Sequence, residues 1–193
     1  MTSITEDTVE QAALGWLREL GYAYCYGPDI ASDGTAPERS TNADVVLEAR
    51  LRDALLRLNP KANPEALEDA ARKVLLVEGP NLIEANRRFH AMLANGVEVE
   101  YRRPDGSTAG DRLRLADFDD PDANDWLAVN QLAVTEGQHA RRPDVVLFLN
   151  GLRSRSSNSR TQPAKRPPSA TPSSNCRPTS SRSRRSSSST SSS

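Results

Sequence analysis

The chain has 193 residues, of which 36% are hydrophobic and 26% charged, and its formal net charge is -1. That near-neutral value averages two unlike pieces: residues 153–193 hold nine Lys and Arg, seventeen Ser and no Asp or Glu, whereas residues 1–152 hold sixteen basic and twenty-six acidic residues, net -10. No run approaches the roughly 20 apolar residues of a membrane span, no leading apolar signal segment is present, and Cys25 and Cys176 show no CxxC spacing.

About 150 residues suffice for one domain with its own core, while the tail has too few apolar side chains to offset the entropy of ordering it. The sequence therefore predicts a globular domain over 1–152 and a disordered Ser/Arg/Pro-rich tail over 153–193, in a cytoplasmic protein with reduced thiols.

Val9, Ala12, Ala13, Trp16, Leu17 and Leu20 recur at helical spacing and stop at Gly21, which predicts an amphipathic first helix with Trp16 in the core. Tyr22 to Tyr26 reads as a short aromatic strand, and Gly27-Pro28 opens an irregular polar loop to Asn42. Asp44 to Leu58 reads as a helix, Asn63-Pro64-Glu65 restarts a second with proline in its first turn, and Leu82 to Leu93 forms a third that Asn95-Gly96 ends.

From Val97 the period becomes two. Val97, Val99 and Tyr101 alternate with charged residues, Pro104-Asp105-Gly106 turns the chain, and Leu113 and Leu115 alternate on the return, which is a hairpin. Asp117 to Asp125 is an acidic loop, Trp126 to Val134 a strand-like run that includes a core Trp126, and Val145 to Leu149 a strand covered on both faces. The fold class expected is α/β (α+β), a mixed sheet flanked by helices.

The string RRPD occurs twice and supplies its own control. At Arg102 to Asp105 it runs into Gly106-Ser107, so Asp105 is a turn residue. At Arg141 to Asp144 it runs into the apolar strand, and a carboxylate on the first turn of a buried segment needs a donor, a cation or a metal, with Arg141 or Arg142 as the simplest partner. Mg2+ takes oxygen ligands and keeps several waters, so it would need further carboxylates besides Asp144.

Other motifs are weaker. His90 and His139 have no zinc spacing, the Asp117, Asp119, Asp120, Asp122, Asp125 cluster lacks calcium-loop register, and no GxxxxGK[ST] phosphate loop occurs. The nine positive charges of the tail would attract nucleic-acid phosphates, but residues 153–193 contain no aromatic residue for base stacking.

Residues 5 to 152 resemble the N-terminal nuclease domain of the R (restriction and motor) subunit of type I restriction endonucleases. The likeness runs through EDTVEQAALGWLRELGY (Glu6 to Tyr22), NDWLAVNQ (Asn124 to Gln131) and above all RRPDVVLFLNGL (Arg141 to Leu152).

The resemblance implies a PD-(D/E)xK nuclease core in a type I site-specific deoxyribonuclease that cleaves unmodified double-stranded DNA together with modification and specificity subunits. It implies Mg2+ held by Asp144 and by an acidic residue of the first helix. Glu10 matches that residue best, with Glu6 and Asp7 left open. ATP hydrolysis would belong to motor domains downstream of this segment.

The resemblance also implies a strand after Asn150-Gly151-Leu152 reading like PLxVIELKN, whose glutamate binds metal and whose lysine orients the attacking water. That strand is not written here, so the chain is expected to be catalytically incomplete.

A one-base loss near the Leu152 to Arg153 junction accounts for the gap. Synonymous codons for Arg153 to Pro163, with one C restored, read Pro-Leu-Ala-Val-Ile-Glu-Leu-Lys-Asn-Ala-Ala, and the acid and base fall where Asn158 and Arg160 stand. Ser173 to Ser180 permits Phe-Gln-Gln-Leu-Gln-Thr-Tyr-Lys in the same frame, and there the leucine is forced by any Asn175 codon joined to the TG of Cys176. The rival reading is a non-catalytic DNA- or partner-binding remnant, with the strand Val145 to Leu149 left as an unpaired sheet edge.

Overall fold

The computed structural model describes residues 6–77, 80–136 and 139–157. In chain order these form α1 (Glu6–Glu19), β1 (Ala23–Tyr26), α2 (Glu48–Leu58), α3 (Pro64–Leu75), α4 (Leu82–Asn95), β2 (Val97–Arg102) and β3 (Thr108–Leu113). After a 3-10 turn at Pro121–Ala123 follow β4 (Trp126–Asn130), β5 (Val134–Glu136), β6 (His139–Arg141), β7 (Val145–Leu149) and β8 (Leu152–Ser157).

The five apolar residues of β7 lie inside a four-stranded mixed sheet of order β1-β4-β7-β8. β1 runs parallel to β4, while β4, β7 and β8 are antiparallel neighbours. Because successive strand residues point to opposite faces, the sheet feeds two cores. Cys25, Leu127, Val129, Val146 and Phe148 pack with Ile30, Leu47 and Leu132. On the other face Ala128, Val145 and Leu147 meet Leu14 and Leu17 of α1. A third core joins α2 and α3 to the β2–β3 hairpin through Leu51, Leu55, Ala70, Val74, Val97 and Leu113. The fold is thus mixed α/β, as the pattern of elements predicts.

Local chemistry fixes the element ends. Asn63 accepts a hydrogen bond from the Glu65 amide ahead of α3, with Pro64 in its first turn, and Asn81 accepts from the Glu84 amide to start α4. Asn150 and Gly151 take φ of 53° and 78°, the pair of positive angles that a two-residue hairpin turn requires.

Several expectations are corrected. α2 starts at Glu48, not Asp44, because the Asp44 carboxylate accepts the Ser40 and Thr41 amides and Val46 bridges to Leu152 before the helix begins. The run from Trp126 to Val134 breaks at Gln131, whose φ is 54°, and the chain then pairs Val134–Glu136 with His139–Arg141. α1 meets the sheet through Leu14 and Leu17, so Trp16, on the far side of the helix, is 66% exposed rather than in the core. Trp126 is half-buried, packs against Tyr22 at 5.4 Å between ring centroids and donates its indole N–H to the Pro121 carbonyl.

The largest difference lies after Leu152. Residues 153–157, expected to open the disordered tail, continue β8 along β7, with Ser157 opposite Val145, so this edge of β7 is paired. The backbone amides and carbonyls of β7 supply partners that do not depend on the side chains opposite them. The rest of the tail lies outside the described residues. Cys25, expected as a reduced thiol, is disulfide-bonded. The sequence has one other cysteine, Cys176, and it lies outside the described residues.

Candidate active site

β1 and β4 run parallel and end together, Tyr26 opposite Asn130, while β7 starts at that same end, Val145 opposite Asn130. Asp144, one residue before β7, therefore stands where β4 stops. α1 crosses this end with its first turns. The Glu10 carboxylate accepts from Asn130 Nδ2 at 3.0 Å and from Gln131 Nε2 at 3.2 Å. The Gln131 backbone amide donates to the Asp144 carbonyl at 3.0 Å. One residue thus contacts both sequence-predicted site positions.

Glu10 and Asp144 are each half-buried, whereas Asp7 is exposed and the Glu6 side chain lies outside the described part of α1. Of these acids, Glu10 is bonded to the β4 end.

Tyr24 completes the arrangement. Its hydroxyl donates to Asn130 Oδ1 at 2.8 Å, and Arg18 lies 4.3 Å over its ring. Burial holds the Tyr24 phenol above its ordinary value and Glu10 adds to this, while Arg18 opposes it. The phenol therefore stays protonated and donates, which leaves the Asn130 amide nitrogen to face Glu10.

Carboxylates and a backbone carbonyl are the oxygen donors that Mg2+ prefers. Among the described residues, however, no group of three or more His, Cys, Asp and Glu is gathered as a metal site. The donors here are right in kind and short in number.

The remaining acids have structural duties. Asp105 accepts from the Ser107 amide and hydroxyl in its turn, as its sequence predicts. Asp117 accepts the amides of Asp119 and Asp120 and is held below the usual carboxylate range by them. His90 and His139 are exposed. Asp125 pairs with Arg50, which also grips Glu38, beneath the β4 start.

Tyr24, Asn130 and Gln131 belong to no chemical motif in the sequence, although NDWLAVNQ carries part of the family resemblance. Two consecutive amides directly after the apolar run Leu127 to Val129 were the available signal. Polar side chains at the end of a buried strand need partners.

Residues 3–154 match the family described as Type I restriction enzyme R protein N terminus. The chain belongs to that family. It is 32% identical over 150 residues to the Type I restriction enzyme HindI endonuclease subunit of Haemophilus influenzae, covering 77% of this chain and 14% of that protein. It is 31% identical over 153 residues to a protein of Methanocaldococcus jannaschii named as a type I restriction enzyme MjaIXP endonuclease subunit, again covering 77% and 14%. The chain therefore spans about one seventh of the length of these relatives. The family match stops at residue 154, four residues before Asn158, while the chain runs on to Ser193.

Proposed function

We propose that residues 1–152 are the nuclease domain of a type I restriction R subunit with a PD-(D/E)xK core, and that Asp144 and Glu10 are its two written metal carboxylates. The observation that carries this reading is the convergence of both residues on Gln131 at the end of β4. In the intact protein the domain would cleave unmodified double-stranded DNA with Mg2+, alongside modification and specificity subunits. ATP would be used only by motor domains outside this chain. The compartment is cytoplasmic, and among the described residues no helix is long and apolar enough to cross a membrane.

The chain as written lacks the acid and lysine of the E-x-K strand, and the reading-frame loss near the Leu152 to Arg153 junction accounts for it. The register of β8 supports this. In the antiparallel ladder Ser157 lies opposite Val145, so a restored-frame strand paired the same way would bring its glutamate, at the position of Asn158, opposite Asp144. The end of the family match at residue 154 falls at the same place.

Two experiments test the reading. Incubation of the purified chain with supercoiled DNA and Mg2+ or Mn2+ yields no cleavage. A rate above the no-enzyme control that Asp144→Ala abolishes would show the written chain to be complete and refute its incompleteness. Sequencing of the encoding DNA reveals codons that give the E-x-K string in the shifted frame; codons unable to do so end the frame argument.

The alternative, a non-catalytic module that occupies DNA or partner sites, draws on the pairing of β8 with β7, which lets the domain keep a closed sheet edge. A cooperative thermal transition in circular dichroism, with DNA binding but no cleavage, favours it. The net charge of -10 over residues 1–152 argues against strong unaided DNA affinity.

A further inference from the structure

We propose that Asn130 and Gln131 act as a fork of positioning residues for the Glu10 carboxylate, and that the left-handed turn at Gln131 exists to set that fork. The proposal rests on the metal reading above and adds the residues that would make Glu10 a usable ligand.

The geometry is specific. Asn130 Nδ2 donates to Glu10 Oε1 at 3.0 Å, and Gln131 Nε2 donates to Oε2 at 3.2 Å and Oε1 at 3.5 Å. Both donors are neutral amides, so they orient the carboxylate without neutralising its charge. A carboxylate offers about four lone-pair sites, and two amide donors leave capacity for a cation. Arginine or lysine in the same place would have competed with a metal for the anion.

Each arm of the fork is itself held. Asn130 is 6% exposed, and Tyr24 fixes its amide orientation by donating to Oδ1. Gln131 adopts φ of 54°, a conformation that L side chains avoid. Successive residues of an extended strand point to opposite faces, so Asn130 and Gln131 could not share one acceptor if β4 simply continued. The left-handed turn brings both amides to Glu10.

Two further contacts lock it. Gly27 donates its amide to the Asn130 carbonyl at 2.8 Å, and a Cβ at Gly27 would stand 2.6 Å from the Gln131 carbonyl oxygen. The Gln131 amide donates to the Asp144 carbonyl. Strain at a non-glycine residue that also contacts both candidate ligands is what a functional constraint leaves behind.

The test uses the 193-residue chain and the variants Gln131→Gly and Glu10→Gln. Gln131→Gly keeps the backbone angle and deletes the fork's second arm, so a purely structural turn predicts unchanged or higher Tm and unchanged metal affinity. The proposal expects unchanged or higher Tm together with about tenfold weaker Mn2+ binding by electron paramagnetic resonance, the scale of loss when a ligand's supporting partner is removed. Equal Mn2+ affinity in wild type and Gln131→Gly overturns the fork and leaves the metal reading intact. Absence of Mn2+ binding in the wild type removes the metal reading for this chain, and the positioning role with it. A measurement independent of metal checks the contacts: the side-chain amide NMR signals of Asn130 and Gln131 both move in Glu10→Gln, and signals that stay fixed overturn the fork.

Discussion

Asn150 offers the sharpest test of how the sheet is held at the end opposite the candidate site. It is fully buried in the β7–β8 turn, and its side chain is saturated: Oδ1 accepts from the Asp125 amide at 2.8 Å and from Arg57 Nη2 at 3.0 Å, while Nδ2 donates to the Leu115 carbonyl and to Asn124 Oδ1, both at 2.9 Å. Asn150→Ala strands the four partners unequally. Arg57 is exposed and Asn124 half-buried, so both can turn to water, but the Asp125 amide and the Leu115 carbonyl keep main-chain positions. Each stranded backbone group costs about 1–2 kcal/mol, and alanine at φ of 53° adds about 1 kcal/mol that asparagine largely avoids. The loss comes to about 3–5 kcal/mol, or roughly 6–20 °C in Tm for a domain near 150 residues. A thermal melt followed by circular dichroism measures it. Asn150→Gly separates the two causes, since glycine accepts the angle and loses only the hydrogen bonds, so it melts above Asn150→Ala and below wild type. A melt of Asn150→Ala within about 2 °C of wild type refutes the reasoning.

Arg50 grips Glu38 and Asp125 with 13% of its side chain exposed, and burial, which would lower its pKa, is outweighed by these carboxylates. Arg50→Ala leaves two partly buried anions without a cation and lowers stability by about 3 kcal/mol in urea denaturation. Asp44 is held below its ordinary pKa mainly by the Thr41 amide, and Asp69 by Lys73 and Arg72 against the opposing effect of burial. Depressed carboxyl pKa values stabilise the fold above the unfolded value of about 3.9 and lose that contribution as pH falls through the folded values. Melting temperature therefore drops below about pH 4, and Asp44→Asn, less stable than wild type at pH 7, converges with it there. The double substitution Asn158→Glu and Arg160→Lys in the written chain strengthens Mn2+ binding relative to wild type in the same resonance titration; no gain in affinity counts against the acid's return beside Asp144.

Much of this fold was legible where local chemistry decides it. Asn63-Pro64, Asn95-Gly96 and Asn150-Gly151 each carry the residue type that their backbone angle or cap demands, and the period-two run from Val97 folds as its alternation dictates. The errors arose where tertiary contacts decide. Asp44 looks like the start of a helix, but its carboxylate closes a turn on Ser40 and Thr41 while Val46 is drawn to Leu152. Trp16 sits at a helical spacing shared with Leu17, yet only one side of α1 meets the sheet. Of the proposed site residues, Asp144 stands out in the sequence by its place before an apolar strand, and Glu10 enters through the resemblance. Asn130 and Gln131 escaped because a strand pattern cannot announce a left-handed residue that is not glycine.

The two halves of the chain's logic part at β8. A strand forms there from Leu152, arginine and serine because β7 presents an unfilled row of amides and carbonyls, and a backbone ladder accepts most residues at little cost, with proline tolerated on an outer strand where its nitrogen faces away from the ladder. Arg and Ser are also side chains that an outer strand tolerates in water. Catalysis has no such tolerance. On the proposed reading a carboxylate must stand opposite Asp144 and a lysine two residues further on, and the proposed frame shift would replace both at once while leaving the ladder's demand unchanged. Fold and function would then respond differently to the same lesion: the sheet keeps its fourth strand, whereas the proposed metal site would be left without its third carboxylate. Restoring the single base in the gene should consequently change the Mn2+ affinity of the chain far more than it changes the pairing of residues 152–157 with β7, a contrast that hydrogen exchange of the β7 amides and a metal titration would measure on the same two proteins.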